Sequence, residues 1–215
     1  NLVIEATIYD AMRDKLVEEG GYLVQGAEKA LLRATYWDEN GQRTSNTIAR
    51  PAGVIAKLAG FSIPDGKSFL MVEETEIGPE HPFSKEKLGP VLSLFRYSGF
   101  DNALDKVNRI LATGGRGHSC GIYSFDDEHI QRLALTAPVS RIMVRQIQSA
   151  ANAGNFTNGM PMTSSMGCGV WGGNITNENI SLKHYMNVTW VSRPISEDRP
   201  SEQELFGEFY NSPTF

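Results

Sequence analysis

Cysteine is scarce: two residues, Cys120 and Cys168, in a chain of 215. Two thiols without metal-type spacing cannot build a disulfide framework, and they suit a reducing cytoplasm. No apolar run is long enough to span a bilayer and no signal peptide opens the chain, so a membrane is not an expected partner. Positive charge is also lacking. Lys and Arg number 20 against 25 Asp and Glu, the net charge is −5, and no basic stripe forms. Nucleic acid is therefore not an expected partner either. The four His residues have no metal-ligand spacing with each other or with Cys, so no metal is expected. No internal repeat or low-complexity block occurs. Four Asn-X-Ser/Thr sequons, at Asn155, Asn174, Asn179 and Asn187, carry meaning only in a secreted protein.

What is abundant is glycine, 21 residues gathered most densely at 114–117 and 167–173. Those are two places where a side chain would be unwelcome. Hydrophobic residues make up 40% of the chain, enough for one domain with a sizeable core. The chain starts with Asn1 and runs directly into the β-rich "LVIEATIY". That start reads as the edge of a piece taken from a longer protein.

Residues 2–5 read as a strand. Ile8, Met12 and Leu16 then recur four apart, an amphipathic helix stopped by Gly20-Gly21. Helices are expected over 27–36 and 52–60, a polar turn at 38–46, a strand at 68–74 and a Pro-rich loop at 78–90. A regular rhythm follows. Strands at 91–97, 118–124 and 141–146 alternate with two helices, one capped by Asp101 with Leu104, Val107, Ile110 and Leu111 inward. The other is capped by Asp126 with Ile130, Leu133 and Ala134 inward. Alternation of this length predicts an α/β domain: a mostly parallel sheet covered by helices on both faces, three layers in all. Beyond Arg145 periodicity is lost to about residue 180. That stretch is poor in charge and reads as a packed loop lining a cleft. Residues 183–195 read as a late strand, partly apolar on both faces, suited to an interface with another domain or subunit. An acidic tail occupies 196–215.

Several residues could carry chemistry. Cys168, in "GCGVWGG", is either a thiolate nucleophile or a small residue in a tight turn. The second reading is favoured, because nothing nearby would lower its pKa. Cys120 reads as core packing. His118, in "GGRGHSCG", lies at the start of a parallel strand and is as readily a proton-handling group as a structural one. Glu86 reads by itself as a solvated charge, His81 as loop surface and His129 as a helix residue in charged surroundings. Arg141, at a strand entry, reads as a snorkelling side chain. Arg145 lies where a parallel strand ends, the edge at which open α/β sheets bind ligands, and can grip an anion.

Taken together, "EHPFSKEKLGPVLSLF" (80–95), "GGRGHS" (114–119), and "GCGVWGGN" (167–174) followed by "KHYMN" (183–187) resemble the aldehyde dehydrogenases, and more narrowly their CoA-acylating members. These include the aldehyde half of the bifunctional aldehyde–alcohol dehydrogenases and the acylating sulfoacetaldehyde and succinate-semialdehyde enzymes. The resemblance runs from about residue 2 to residue 195 with the order of segments kept. It implies a partial catalytic domain over 1–182, an oligomerisation strand over 183–195 and a C-terminal tail.

The resemblance also implies a chemistry: a cysteine thiolate attacks an aldehyde, hydride passes to NAD or NADP, and CoA takes the acyl group from the thioester. The nucleophile would lie a few residues before Asn1, together with the cofactor domain, so the chain alone is expected to be inactive. Cys168 would then belong to a loop closing over the active site. Glu86 would meet the nicotinamide ribose and Leu88 would pack beside the nicotinamide. His118 matches a His typical of acylating members, with proton handling or CoA contact as alternative roles. Arg145 would favour a short anionic aldehyde such as sulfoacetaldehyde. A cytoplasmic homo-oligomer is the expected setting. The competing readings are a non-enzymatic assembly domain and a non-acylating aldehyde dehydrogenase.

Overall fold

The computed structural model describes residues 1–210. Contacts divide the chain into two units, Asn1–Ser181 and the residues from Leu182 onward. In the first unit, β1 (Leu2–Glu5), β2 (Gly21–Leu23), β3 (Phe69–Glu74) and β4 (Val91–Tyr97) form a sheet in the order β1-β4-β3-β2. All three pairings are parallel, with Val3 opposite Phe95, Val72 opposite Ser93, and Tyr22 opposite Leu70.

Strand alternation sorts side chains to the two faces. On one face Leu70, Val72 and Val91 pack with Leu32 and Tyr36 of α2 (Ala27–Tyr36) and Ile55 and Ala59 of α3 (Ala52–Ala59). Further along that face Phe95 meets Ile110 of α4 (Phe100–Thr113). On the other face Met71 and Leu94 pack with Tyr9, Leu16 and Val17 of α1 (Tyr9–Glu18). The expected three layers are therefore present. Leu70, Met71 and Val72 are wholly buried, so each contributes about 1.5–3 kcal/mol by leaving water.

The parallel rhythm continues, but in a separate sheet. β5 (Cys120–Ile122) pairs in parallel with β6 (Ile142–Val144), and neither joins the first four strands. Each is three residues long, against the seven of β4. Between them lies α5 (Asp127–Thr136). Leu104 and Leu111 of α4, Leu133 of α5 and Val139 form the core under this pair. Asp126 caps α5 as expected, accepting from the backbone of Glu128 and His129.

Other expectations need correction. Asp101 does not cap α4: the helix starts at Phe100 behind Gly99, so Asp101 sits in the first turn and pairs with Arg132. Ala134 is exposed, because Leu133 and Ala137 carry the inward stripe of α5. Helix α1 starts one residue later than its spacing suggests. Its buried anchor is Tyr9, and Ile8 and Met12 are 52% and 41% exposed. The polar turn at 38–46 is built on Asp38, whose carboxylate accepts from the backbone of Asn40 and Gln42.

In the second unit the expected strand over 183–195 is not formed. Leu182–His184 is a 3₁₀ turn, and residues 185–200 have no regular structure. Met186, Val188, Trp190 and Val191 are exposed. A strand exists only through hydrogen bonds to a neighbouring strand, and among the described residues no strand pairs with this segment. The tail contains α7 (Glu202–Phe206), closed by a capping box between Ser201 and Glu204. In the first unit, α6 (Gln148–Ala151) opens the long loop. Among the described residues no helix is long and apolar enough to cross a membrane.

Candidate active site

The two glycine-rich stretches meet. Gly117 bridges to Val139 in parallel fashion, donating to Pro138 O at 2.8 Å and accepting from Ser140 at 3.0 Å. A β-carbon on Gly117 would stand 2.2 Å from Cys168 O, and one on Gly172 would stand 2.4 Å from the Cys168 β-carbon. One on Gly167 would stand 2.1 Å from Thr176 O. The glycines thus let the 167–174 turn close directly against the entry to β5. Cys168 is part of that closure. Its amide donates to Asn174 Oδ1 at 2.8 Å. The thiol of Cys120 faces the core, and burial pushes it up to about 11, which suits the packing role expected of it.

The clamp on this loop is Arg141, only 5% exposed. Its Nε donates to Asn179 Oδ1 at 2.6 Å. Its terminal nitrogens donate to Gly167 O at 2.9 Å, Asn177 O at 3.0 Å and His118 O at 3.3 Å. Asn179 passes the connection on, donating to Pro161 O at 2.7 Å and Asn152 O at 3.1 Å. The snorkelling expected of Arg141 is therefore wrong: its head is buried and bonded to four acceptors. Burial of the guanidinium lowers its affinity for a proton. The signal in the sequence was an Arg beside an apolar strand, followed by a loop too poor in acids to pair with it.

His118 stands where the strand pair begins, half-buried, with Nδ1 at 2.6 Å from Ser119 Oγ. That hydroxyl also receives Gln148 Nε2 at 2.5 Å and Asn152 Nδ2 at 3.1 Å. Among the described residues the ring makes no second hydrogen bond. His81 is exposed, and His129 stacks on Phe100 with ring centroids 3.8 Å apart.

Glu86 and Leu88 flank Lys87 in the segment before β4. Glu86 is exposed, with no ion pair or hydrogen bond among the described residues. Leu88 is 47% exposed and held in the left-handed region at φ 44°, its carbonyl accepting from Ala49 at 2.9 Å. Lys87, which the sequence did not single out, is the anchor. It is 5% exposed and donates to Phe83 O at 2.7 Å, Asn1 Oδ1 at 2.8 Å and Lys85 O at 3.0 Å. Burial pushes its ammonium down to about 7, against the pull of Glu74 and Glu86. Lys87 inward thus forces Glu86 and Leu88 outward as an acceptor and an apolar surface side by side. No hydrogen bond or ion pair joins this segment to His118.

Arg145 sits just past the end of β6, in the left-handed region at φ 52°, its amide bonded to Ile122 O at 2.8 Å. The guanidinium donates to Ser124 O at 2.7 Å and lies 4.7 Å from the Phe125 ring centroid. No carboxylate pairs with it among the described residues. It is exposed, with donors to spare, at the C-terminal edge of the β5–β6 pair. A separate cleft of about 360 Å³ is lined by Lys29, Arg33, Glu74, His81 and Phe83, away from His118 and the 167–179 loop.

No family model matches the chain. It is 41% identical over 213 residues to a sulfoacetaldehyde dehydrogenase of an Acholeplasma species, covering 97% of this chain and 44% of that protein. It is 38% identical over 212 residues to an acylating sulfoacetaldehyde dehydrogenase of Cupriavidus necator, covering 98% and 43%. Among solved structures, an acetylating aldehyde dehydrogenase of Geobacillus thermoglucosidasius superposes with a TM-score of 0.82 at 30% identity, over 91% of this chain and 44% of that one. The chain spans less than half the length of each of these relatives.

Proposed function

This chain belongs to the aldehyde dehydrogenase family, alongside its CoA-acylating members, and from that premise we propose that the protein carrying it is an acylating aldehyde dehydrogenase. The reaction joins an aldehyde and CoA into acyl-CoA and reduces NAD⁺ or NADP⁺ to NADH or NADPH, releasing one proton. The observation that carries this reading is the identity of 38–41% to sulfoacetaldehyde dehydrogenases over nearly the whole chain.

The residues present fit a nicotinamide cofactor. The Glu86 carboxylate is open to ribose hydroxyls, and Leu88 offers an apolar surface beside it, both fixed by Lys87 beneath. NAD or NADP would supply the hydride acceptor. His118 and the Arg141-clamped loop form the part that meets CoA or the acyl group. The nucleophilic thiol is neither Cys120, which faces the core, nor Cys168, which is built into the loop closure. Arg145 would bind the anionic head of a short aldehyde such as sulfoacetaldehyde, since no carboxylate among the described residues pairs with its guanidinium. The apolar residues of 183–195 would gain strand partners in a homo-oligomer.

The cofactor assignment is tested by Glu86→Gln in the full-length protein. An amide has one acceptor oxygen where a carboxylate has two, and a hydrogen bond to a charged group is worth about 1.5–3 kcal/mol. The KM for NAD(P) or the hydride-transfer rate should worsen by about 10- to 150-fold. Unchanged kinetics in the nicotinamide cofactor would remove Glu86 from the site.

A further inference from the structure

The contacts of Ser119 determine more than its own position. A serine hydroxyl has one proton to donate and two lone pairs to accept with. Gln148 Nε2 donates to Ser119 Oγ at 2.5 Å and Asn152 Nδ2 donates to it at 3.1 Å. Both lone pairs are then taken. The third contact, 2.6 Å to His118 Nδ1, is left for the hydroxyl's own proton. A nitrogen that accepts from a hydroxyl carries no proton itself, so in the neutral ring the proton resides on Nε2.

We propose that Ser119 is a positioning residue that, with Gln148 and Asn152, fixes His118 as its Nε2–H tautomer, so that the ring meets its ligand as a hydrogen-bond donor. The surroundings keep this arrangement rigid. Asn152 is 4% exposed, and its backbone carbonyl is held by Asn179, whose own side-chain oxygen is held by the buried Arg141. A guanidinium can only donate, so Asn179 can present only its oxygen to it and its amide nitrogen to Asn152. The bonds from Arg141 through Asn179 thus fix the backbone of Asn152, from which its side chain reaches Ser119.

The consequence is chemical. A ring with Nε2–H cannot take the proton of an incoming thiol at that atom. It can donate to sulfur or oxygen on which negative charge resides or develops: a CoA thiolate, or the carbonyl oxygen of a thioester under attack. A preset donor aimed at such an atom stabilises the charge without rearranging during the reaction. His118 so placed is a donor to the acyl-transfer step and not its base. This rests on the reading of His118 as part of the active site, but the tautomer can be measured apart from activity.

The experiment uses the full-length protein with ¹⁵N-labelled histidine, the His118 signals being assigned by their loss in His118→Gln. The expected wild-type spectrum of the neutral ring has Nδ1 unprotonated and Nε2 protonated. Ser119→Ala should give a mixture of tautomers, and Ser119→Thr, which keeps the hydroxyl, should restore the wild-type pattern. In parallel, Ser119→Ala should slow CoA-dependent acyl transfer on the order of 5- to 10-fold, the loss of one ordinary hydrogen bond. The CoA-independent burst of NAD(P)H should keep its rate. A wild-type ring protonated at Nδ1 overturns the proposal, as does an unchanged tautomer in Ser119→Ala. If the tautomer is as stated but His118→Gln leaves CoA-dependent turnover intact, the active-site reading of His118 fails and the tautomer assignment stands.

Discussion

Replacing Arg141 by Met in the full-length protein removes a buried cation while keeping most of its apolar stem. Four hydrogen bonds are lost. Those to His118 O, at 3.3 Å, and to Asn177 O are part-buried, so water can replace them. Those to Asn179 Oδ1 and Gly167 O are buried and leave two acceptors without a donor. Bonds of this charged type are worth about 1.5–3 kcal/mol each. Against this, the wild type bears the cost of desolvating a guanidinium that has no carboxylate partner among the described residues, and the variant is relieved of it. The net is a loss of about 2–4 kcal/mol, and it is local, because nothing in the β1–β4 sheet touches these bonds. Hydrogen exchange read by mass spectrometry separates local from global effects. Peptides covering 165–180 should exchange about 30- to 1000-fold faster in Arg141→Met, with peptides of β3 and β4 unchanged. Equal exchange at 165–180 would show that Arg141 does not hold the loop. A uniform rise across the sheet would show that the loop and the main core open together.

Three further outcomes follow from the same contacts. Cys168→Ala in the full-length protein should keep most of its activity, because alanine preserves the β-carbon that Gly117 and Gly172 pack against; loss of the chemical step with the fold intact would make Cys168 the nucleophile. Lys87, pushed down to about 7 by burial, binds fewer protons folded than unfolded between about pH 7 and its ordinary value of 10.5. Folding stability should therefore rise with pH across that window, and Lys87→Met should lose that contribution; identical pH dependence of the denaturant midpoint in both would contradict the burial argument. Arg145→Ala should raise the KM for sulfoacetaldehyde about 10-fold or more, as loss of a charged hydrogen bond requires, and leave acetaldehyde unaffected; equal losses for both, or none, would exclude an anion-binding Arg145.

The parts of the fold that repeat were legible. The short apolar runs "SFLMVEE" and "VLSLFRY" read as strands and are β3 and β4, and the side chains of Leu70 and Met71 divide between the two faces as period two requires. Asp126 was readable as a cap because an acceptor directly before the first helical turn meets free amides. Asp101 looked the same and is not a cap, because Gly99 turns the chain two residues earlier. The separation of β5 and β6 from the main sheet was not legible, since strand pairing over long separations leaves no mark in a three-residue run. The 183–195 segment shows the limit of alternation: it gives the faces of a strand but not the partner that makes one.

In the site, the glycine clusters announced a close approach, and Gly117 against Cys168 is that approach. What held it was not visible. Arg141 and Lys87 are buried cations satisfied mostly by backbone and amide oxygens, and a search for carboxylate partners passes over both. Polar groups bonded to backbone leave no complementary charge in the sequence.

The central claim is tested most directly by supplying the full-length protein with sulfoacetaldehyde and NAD⁺ or NADP⁺, with and without CoA, and following both the reduced nicotinamide and the acyl product. The account predicts that sustained NAD(P)H formation requires CoA and that acyl-CoA appears in equal amount. Sustained NAD(P)H formation without CoA, with the free carboxylate as product, would place the protein among non-acylating enzymes; no NAD(P)H under either condition would contradict the dehydrogenase reading for this substrate.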